Sequence, residues 1–184
     1  MSSPAAVLRL AGIQAILAAA IGTALWFSYP AWRLGRVSEH LRQQYPDVAQ
    51  ISTSDLAAWL ASANPVKPVI LDVRTPEEFA VSHLIEAHRI DAGGELKRDD
   101  RPDDLARVIA VYCATGDRST AFARRLQRAG HLHVFALEGG IVRWANEGRP
   151  MTNGHGLVSR VRPPDEKAAR FLKAACRADA AAAR

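Results

Sequence analysis

A chain of 184 residues is long enough for one ordinary domain with appended segments, and its 48% hydrophobic and 23% charged content excludes an intrinsically disordered protein. The formal net charge of +5 lies at the two ends: residues 1–50 carry +2, residues 151–184 carry +4, and residues 51–150 carry −1. A nearly neutral middle lacks the clustered basic side chains of a nucleic-acid-binding face, so no nucleic-acid partner is expected.

The first predicted element is an apolar segment, Leu10–Tyr29, which has no charged residue over 20 positions. A helix of that length is about 30 Å long, close to the hydrocarbon thickness of a bilayer. Aromatic residues stand at its end, where the membrane interface would lie: Trp26, Tyr29 and Trp32. We therefore expect residues 1–32 to be a single-pass anchor whose partner is the lipid bilayer. A cleaved signal peptide, which would export the domain, is the alternative.

The rest of the chain divides into three parts by composition. Residues 33–50 are predicted to be a polar connector beside the membrane, and their three arginines favour a cytoplasmic position for the domain that follows. Residues 51–151 form the predicted domain. Residues 152–184 are a basic extension rich in alanine, which predicts either a docked helix or a frayed tail.

Predicted strands and helices alternate along the domain. Apolar runs predict strands over 69–73, 108–112 and 133–137, and a short strand is also expected over 87–91. Start and stop signals predict helices over 52–62, from 75 onward, over 119–130 and over 139–148. Thr75 and Glu78 have the spacing of a capping box, with Pro76 at the first helical position and Gly130 as the cap of a later helix. The alternation predicts an α/β fold, a parallel sheet with helices on both faces.

Cys113 follows the apolar run 108–112, so it should lie at the carboxyl end of a parallel strand, where such sheets bind ligands. Gly116 permits a tight turn into the next helix, whose N–H groups, together with Arg118, would surround the thiol with positive charge. A cysteine in that position is expected to ionise readily and act as a nucleophile. An inert core thiol is the alternative. No Cys/His cluster accompanies it, so no metal and no disulfide framework are expected.

Three stretches of the chain resemble rhodanese-like domains in order and spacing. They are LDVRTPEEFAVSHL (71–84), CATGDRS (113–119) and VFALEGGIVRWANEGRPM (134–151). The resemblance implies a three-layer α/β fold with a five-stranded parallel sheet flanked by helices. It also implies a sulfurtransferase without a cofactor, which passes sulfane sulfur from a small donor, such as thiosulfate or a persulfide, through a Cys113 persulfide to a thiophilic acceptor. A weak or inactive module that binds a partner at the membrane is the alternative.

The resemblance also implies roles for single residues. The loop that binds substrate and holds the persulfide charge would comprise Ala114, Thr115, Gly116, Asp117, Arg118 and Ser119. Arg118 would attract the anionic donor, and Asp117 would oppose it if its carboxylate pointed inward. Asp72, Arg74 and Glu78 are expected to support the structure, with Arg74 paired to a carboxylate such as Glu78. The loop is one residue shorter than in cysteine phosphatases, which argues against phosphate chemistry.

Overall fold

The structure is a computed structural model that describes residues 14, 32–63, 65–91 and 105–178. The predicted span Leu10–Tyr29 lies outside these residues, apart from position 14. Within the described parts of the chain, no helix combines the length and the apolar character needed to cross a membrane.

Strands and helices alternate as predicted. In chain order the elements are α1 (helical residues 32–44), β1 (Ala49–Ile51), α2 (Thr53–Ala61), β2 (Val69–Asp72), α3 (Pro76–Val81), β3 (His83–Leu84), β4 (His88–Arg89), β5 (Val108–Tyr112), α4 (Asp117–Arg128), β6 (His133–Leu137), α5 (Gly140–Asn146), β7 (Met151–Thr152), β8 (Leu157–Val158) and α6 (Glu166–Ala169). The predicted five-stranded parallel sheet flanked by helices is confirmed, in the order β1-β6-β5-β2-β4. A small antiparallel sheet of β3, β7 and β8 was not predicted, because strands of two residues leave no periodic pattern.

The sequence signals at the helix ends appear as contacts in the structure. Thr75 accepts a hydrogen bond from the Glu78 N–H, and the Glu78 carboxylate accepts one from the Thr75 N–H, which completes the predicted capping box of α3. Pro76 lies in the first turn of the same helix. Gly130 follows α4 with φ at +98°, as its predicted capping role requires. Helix α4 begins at Asp117, two residues before the predicted start.

The central strand β5 divides the core by alternate residues. Ile109, Val111 and Cys113 belong to the apolar cluster packed on α4, whereas Ala110 and Tyr112 belong to the cluster packed on α5. Successive side chains of a strand point to opposite faces of its sheet. The first residue after β5 therefore directs its side chain toward α4, and this fixes the face on which the Cys113 sulfur lies.

Helix α1 packs on the domain, so the prediction that residues 33–50 are a polar connector is wrong. Leu34, Ser38 and Leu41 are buried along one stripe of α1, and the Ser38 hydroxyl donates to the Leu34 carbonyl at 3.3 Å. Arg42, on the same helix, forms an ion pair with Glu138 in the link between β6 and α5. This packing was not predicted because two leucines with a serine between them do not form a recognisable apolar stripe on a helix. Strand β1 then follows α1 and pairs with β6 at the edge of the sheet.

The C-terminal extension is folded onto the same face of the domain rather than frayed. Val161, Phe171 and Leu172 are buried in the cluster that contains α5. Asn146 at the end of α5 fixes the extension: its Nδ2 donates to the Phe171 carbonyl at 2.7 Å, and its Oδ1 accepts from the Lys173 N–H at 2.9 Å. Up to Ala178, the last described residue, the alanine-rich stretch does not form one long helix, because tertiary docking of these side chains outweighs helix propensity. Instead, α6 has four residues and a 3₁₀ turn follows at Ala174–Cys176.

Candidate active site

The Cys113 thiol lies at the end of the central strand and is only 1% exposed. Its Sγ accepts a hydrogen bond from the Gly116 N–H at 3.1 Å and lies 3.6 Å from the Ser119 hydroxyl, which donates to it. Gly116 has φ at +116°, a conformation that residues with a Cβ rarely adopt, and this conformation lets the chain turn from the loop into α4. A backbone donor and a side-chain donor therefore converge on one buried sulfur atom.

The first turn of α4 fixes the loop from one side. The Thr120 hydroxyl donates to the Gly116 carbonyl at 2.7 Å. The Ser119 hydroxyl lies 3.0 Å from the same carbonyl, so its single proton is shared between that oxygen and the sulfur. The Thr115 hydroxyl donates to the carboxylate of Asp117, whose side chain is exposed to solvent. Asp117 therefore points outward, and its charge stabilises the N-terminus of α4 rather than facing the sulfur.

Helix α5 fixes the loop from the other side. The N–H groups of Ile141 and Val142 donate to the carbonyls of Cys113 and Ala114, at 3.0 and 3.1 Å, so two donors that a helix N-terminus normally leaves unused are satisfied by the loop. Gly140 makes this approach possible, because a Cβ there would lie 2.6 Å from the Ala114 carbonyl oxygen and closer still to that of Cys113. The loop is thus held between the N-termini of two helices.

Arg118 is held by a carboxylate from α3. Its Nη1 and Nη2 donate to Glu78 at 3.1 and 3.0 Å, and the Glu78 side chain is almost fully buried. Burial by itself would lower the pKa of Arg118, but the hydrogen bonds with Glu78 and the negative charge of Cys113 outweigh it and raise that pKa. Arg118 therefore stays charged, but much of its charge is paired, and it joins α3 to α4 in addition to its predicted role of attracting a donor.

Arg74 is paired with a carboxylate, as expected, but the carboxylate is that of Asp72 and not that of Glu78. The Arg74 Nη2 and Nε donate to the Asp72 carboxylate at 2.7 and 3.0 Å, and both side chains are fully buried. The same Nη2 donates to the Ser82 carbonyl at 2.5 Å. Burial alone would lower the pKa of Arg74, but the charge and hydrogen bonds of Asp72 outweigh it and raise that pKa. The pair lies at the end of β2, beside β5, in a supporting position.

A cavity of about 460 Å³ borders the loop. Loop residues form one side of it: Ala114, Thr115, Asp117 and Arg118. Helix α1 and the C-terminal extension form the other sides. Sequence reasoning did not find these two walls, because no motif lies in either segment and the resemblance begins after α1.

The domain that contains this site is similar to known proteins. The profile of the family described as "Rhodanese-like domain" matches residues 52–147. A protein named sulfurtransferase from Allochromatium vinosum is 31% identical over 114 residues, which cover 59% of this chain and 99% of that protein. MoeZ from Mycobacterium tuberculosis, named a probable adenylyltransferase/sulfurtransferase, is 34% identical over 105 residues, which cover 54% of this chain and 25% of that protein.

This chain thus spans about a quarter of the length of the Mycobacterium tuberculosis relative. A solution NMR structure of a rhodanese-like domain from Anabaena sp. is similar in fold, with a TM-score of 0.53 and 26% sequence identity. The similarity covers 63% of this chain and 84% of that domain.

Proposed function

Since this chain belongs to the rhodanese-like domain family, we propose that it is a sulfurtransferase that carries sulfane sulfur as a persulfide on Cys113. The observation that carries the proposal is the convergence of the Gly116 N–H and the Ser119 hydroxyl on one buried sulfur atom. Donors arranged in this way stabilise negative charge on sulfur without reorganising during the reaction. A cysteine that served only to fill the core would need neither donor.

In the first half of the reaction, the Cys113 thiolate attacks the sulfane sulfur of thiosulfate or of a persulfide donor. A new S–S bond forms at Sγ while the S–S bond of the donor breaks, and sulfite or a thiolate leaves with the bonding electron pair. The outer sulfur of the resulting persulfide carries the negative charge and lies about 2 Å beyond Sγ. The loop amides and the Ser119 hydroxyl are the groups placed to stabilise that charge.

In the second half, a nucleophilic acceptor attacks the outer sulfur. The bond between the two sulfur atoms breaks, its electron pair returns to Sγ, and Cys113 is again a thiolate. Donor and acceptor exchange one sulfur atom, and the protein undergoes no net oxidation or reduction. Arg118 stays charged beside the loop and attracts the anionic donor. Its ion pair with Glu78 weakens this attraction.

The apolar segment Leu10–Tyr29 suggests the location of this reaction. We propose that it is a single-pass anchor and that the domain lies on the cytoplasmic side, on the support of its 20 uncharged residues and the arginines that follow it. The full chain is then expected to stay with membranes during extraction with alkaline carbonate. Release of the chain into the soluble fraction would overturn the proposal.

The persulfide is tested by the intact mass of the full chain in a mild detergent, before and after incubation with thiosulfate. We expect a gain of one sulfur atom that cyanide removes. The gain should be absent from Cys113→Ser. It should persist in Cys176→Ser, because the Cys176 thiol of the wild type donates to the Ala145 carbonyl at 3.4 Å and is not part of the loop. A wild-type chain that gains no sulfur from thiosulfate or from polysulfide would overturn the proposal and favour the binding module.

A further inference from the structure

The start of α1 and the C-terminal extension together form a basic surface. Over residues 159–178 the chain has six basic and two acidic side chains, a net charge of +4. Helix α1 adds Arg33 and Arg36, whereas its third arginine, Arg42, is held in two ion pairs. The basic surface comprises Arg33, Arg36, Lys167, Arg170, Lys173 and Arg177.

Contacts between α1 and the extension make this surface continuous. The Arg33 guanidinium lies 5.5 Å from the centre of the Phe171 ring. Arg36 and Lys167 line the same cavity. The Arg177 guanidinium lies 3.8 Å from a carboxylate at the start of α6. The six cations therefore belong to one region of the molecule and not to separate sites.

The carboxylates of this region balance its cations only in part. They are Asp117, Asp165 and Glu166, and each stays negatively charged while it accepts a hydrogen bond or takes part in an ion pair. Six cations and three carboxylates leave a net charge of +3. Three of the cations are exposed and form no ion pair within the described residues: Arg36, Lys167 and Arg170. Such an excess of exposed positive charge attracts anionic partners.

The start of α1 is also the part of this surface nearest to the proposed anchor. Trp32 follows Tyr29 by three residues, so their Cα atoms lie at most about 11 Å apart. The Trp32 side chain is 59% exposed, and tryptophan is enriched where a membrane meets water. The Arg36 guanidinium lies 5.6 Å from the centre of that ring. An exposed tryptophan beside a cation, close to an apolar segment, suits the headgroup region of a bilayer.

We propose that the basic surface docks on a bilayer with anionic headgroups and holds the domain against the membrane. Negatively charged leaflets attract basic segments that lie beside a span, and each well-placed cation contributes to the attraction. Both segments lie outside the family match at residues 52–147, so the docking is a property of this chain. Because both also border the loop after β5, docking keeps that loop near the headgroups. This inference rests on the proposed single-pass anchor and is independent of the proposed sulfur transfer.

The test measures how easily Lys167 is acetylated on the full chain in lipid nanodiscs. The discs contain phosphatidylcholine alone or an equal mixture with phosphatidylglycerol, and a neutral acetylating reagent is followed by mass spectrometry. We expect acetylation of Lys167 to be about five-fold slower in the anionic discs, because docking covers its amine and the headgroups favour its protonated form. Lys67, which precedes β2 at the opposite end of the strands, should react equally in both. High salt should remove the difference at Lys167 by screening.

Two double variants with the same change of charge locate the effect. Arg36→Gln/Arg170→Gln should reduce the difference between the discs to less than about twofold, because two exposed cations of the surface are lost. Arg107→Gln/Arg128→Gln is the matched control, since both residues are exposed at the amino ends of the strands, before β5 and at the end of α4. It should keep the wild-type difference. Equal acetylation in the two discs, or a difference that persists in the first variant, would overturn the inference.

Failure of the anchor gives a different result. If the full chain does not enter the neutral discs, the proposed anchor fails, and the basic surface is then tested by flotation with vesicles of the anionic mixture at low salt. Flotation of the wild type and of the control, but not of Arg36→Gln/Arg170→Gln, would support the inference. No flotation of the wild type, or equal flotation of all three proteins, would overturn it.

Discussion

Ser119 and Thr120 place two hydroxyls side by side at the start of α4, and only one of them reaches the sulfur. Both lie within hydrogen-bond distance of the Gly116 carbonyl, but the Ser119 hydroxyl also lies 3.6 Å from the Cys113 Sγ and can direct its proton to either acceptor. We predict that Ser119→Ala slows persulfide formation about tenfold, because it removes a donor to the anionic sulfur. Thr120→Val should change that rate less than twofold, although each variant loses one internal hydrogen bond worth about 1 kcal/mol.

Single-turnover loading with thiosulfate measures the two rates, and urea denaturation checks that both variants lose similar stability. Equal slowing in both variants would contradict the assignment of the Ser119 hydroxyl to the sulfur.

Alanine variants at Gly140 and Gly148 distinguish the cost of a steric clash at the Cβ from the cost of a strained backbone conformation. Both have positive φ, +52° and +71°, but a Cβ at Gly140 would collide with the loop carbonyls, whereas a Cβ at Gly148 would meet nothing within 4 Å. We predict that Gly148→Ala costs about 1 kcal/mol of unfolding free energy from strain alone. Gly140→Ala should cost about 3 kcal/mol or more, because α5 must also move away from the loop.

The two glycine variants are compared by their midpoints of unfolding in denaturant, provided that the dependence of unfolding free energy on denaturant concentration is the same for both. A Gly140 variant no less stable than the Gly148 variant would show that the contact between α5 and the loop is not tight.

The sequence predicted the position of Cys113 and its loop better than the partners of the charged residues nearby. Cys113 and the loop follow from a short motif, and the capping box of α3 follows from two residues three apart. The partner of Arg74 did not follow, because it depends on how the turn after β2 folds back onto Asp72. Glu78, which had been assigned to Arg74, is 40 residues from Arg118 along the chain, and only the packing of α3 against α4 brings those two together.

Helices α3 and α4 are joined by the Glu78–Arg118 pair, and we expect this pair to have opposite effects on stability and on binding of the proposed donor. We predict that Glu78→Gln lowers the free energy of unfolding by about 2 kcal/mol, because a mostly buried ion pair loses one charge while Arg118 remains partly solvated. The same change frees the charge of Arg118, so the KM for thiosulfate should fall severalfold. Glu77→Gln, exposed on the same helix and outside any ion pair among the described residues, should leave the KM unchanged and lower the free energy of unfolding by less than Glu78→Gln does.

Thermal unfolding and steady-state kinetics of the two variants give both values. An unchanged KM in Glu78→Gln would mean that Arg118 acts only as a link between the helices.

Elements with strong local signals were predicted to within about two residues, and elements without such signals were missed. Strands β5 and β6 have the predicted bounds because each is a continuous apolar run between breakers. Strand β1 has three residues and lies in a polar stretch, so its place in the sheet depends on pairing with β6. A local pattern does not encode such pairing.

If α1 and the C-terminal extension are part of the same cooperative unit as the domain, the whole molecule should unfold in one transition. Asn146 binds the C-terminal extension through both atoms of its side-chain amide, so we predict that Asn146→Ala lowers the free energy of unfolding by about 2 kcal/mol. Asn153→Ala, which removes bonds within an exposed turn, should cost less. Trypsin should then cut after Arg170 and Lys173 sooner in the Asn146 variant than in the Asn153 variant.

Denaturation followed separately by near-ultraviolet and far-ultraviolet circular dichroism should give one coincident transition in the wild type. Two separate transitions would mean that the extension is not part of the cooperative unit.

At this scale, the sequence predicted the class and centre of the fold but not its outer layer. Alternating strands and helices between residues 51 and 151 were sufficient for a parallel sheet with covered faces. Helix α1 and the C-terminal extension join the core through a few buried side chains each, among them Leu34 and Phe171, and such sparse contacts give no periodic signal. Two walls of the cavity beside the loop come from these segments, so the cavity could not be predicted without first predicting how they pack.

The burial of Cys113 gives the proposed persulfide a second consequence. The empty thiol presents almost no surface, whereas the added sulfur lies about 2 Å further out, toward the mouth of the loop. Loaded and unloaded molecules would therefore differ in shape, and in the position of the negative charge, at one point on the surface. A protein that docks over the loop would contact the added sulfur only in the loaded form. Such a protein could therefore distinguish the loaded form from the unloaded form, and the transferred sulfur atom would also control binding.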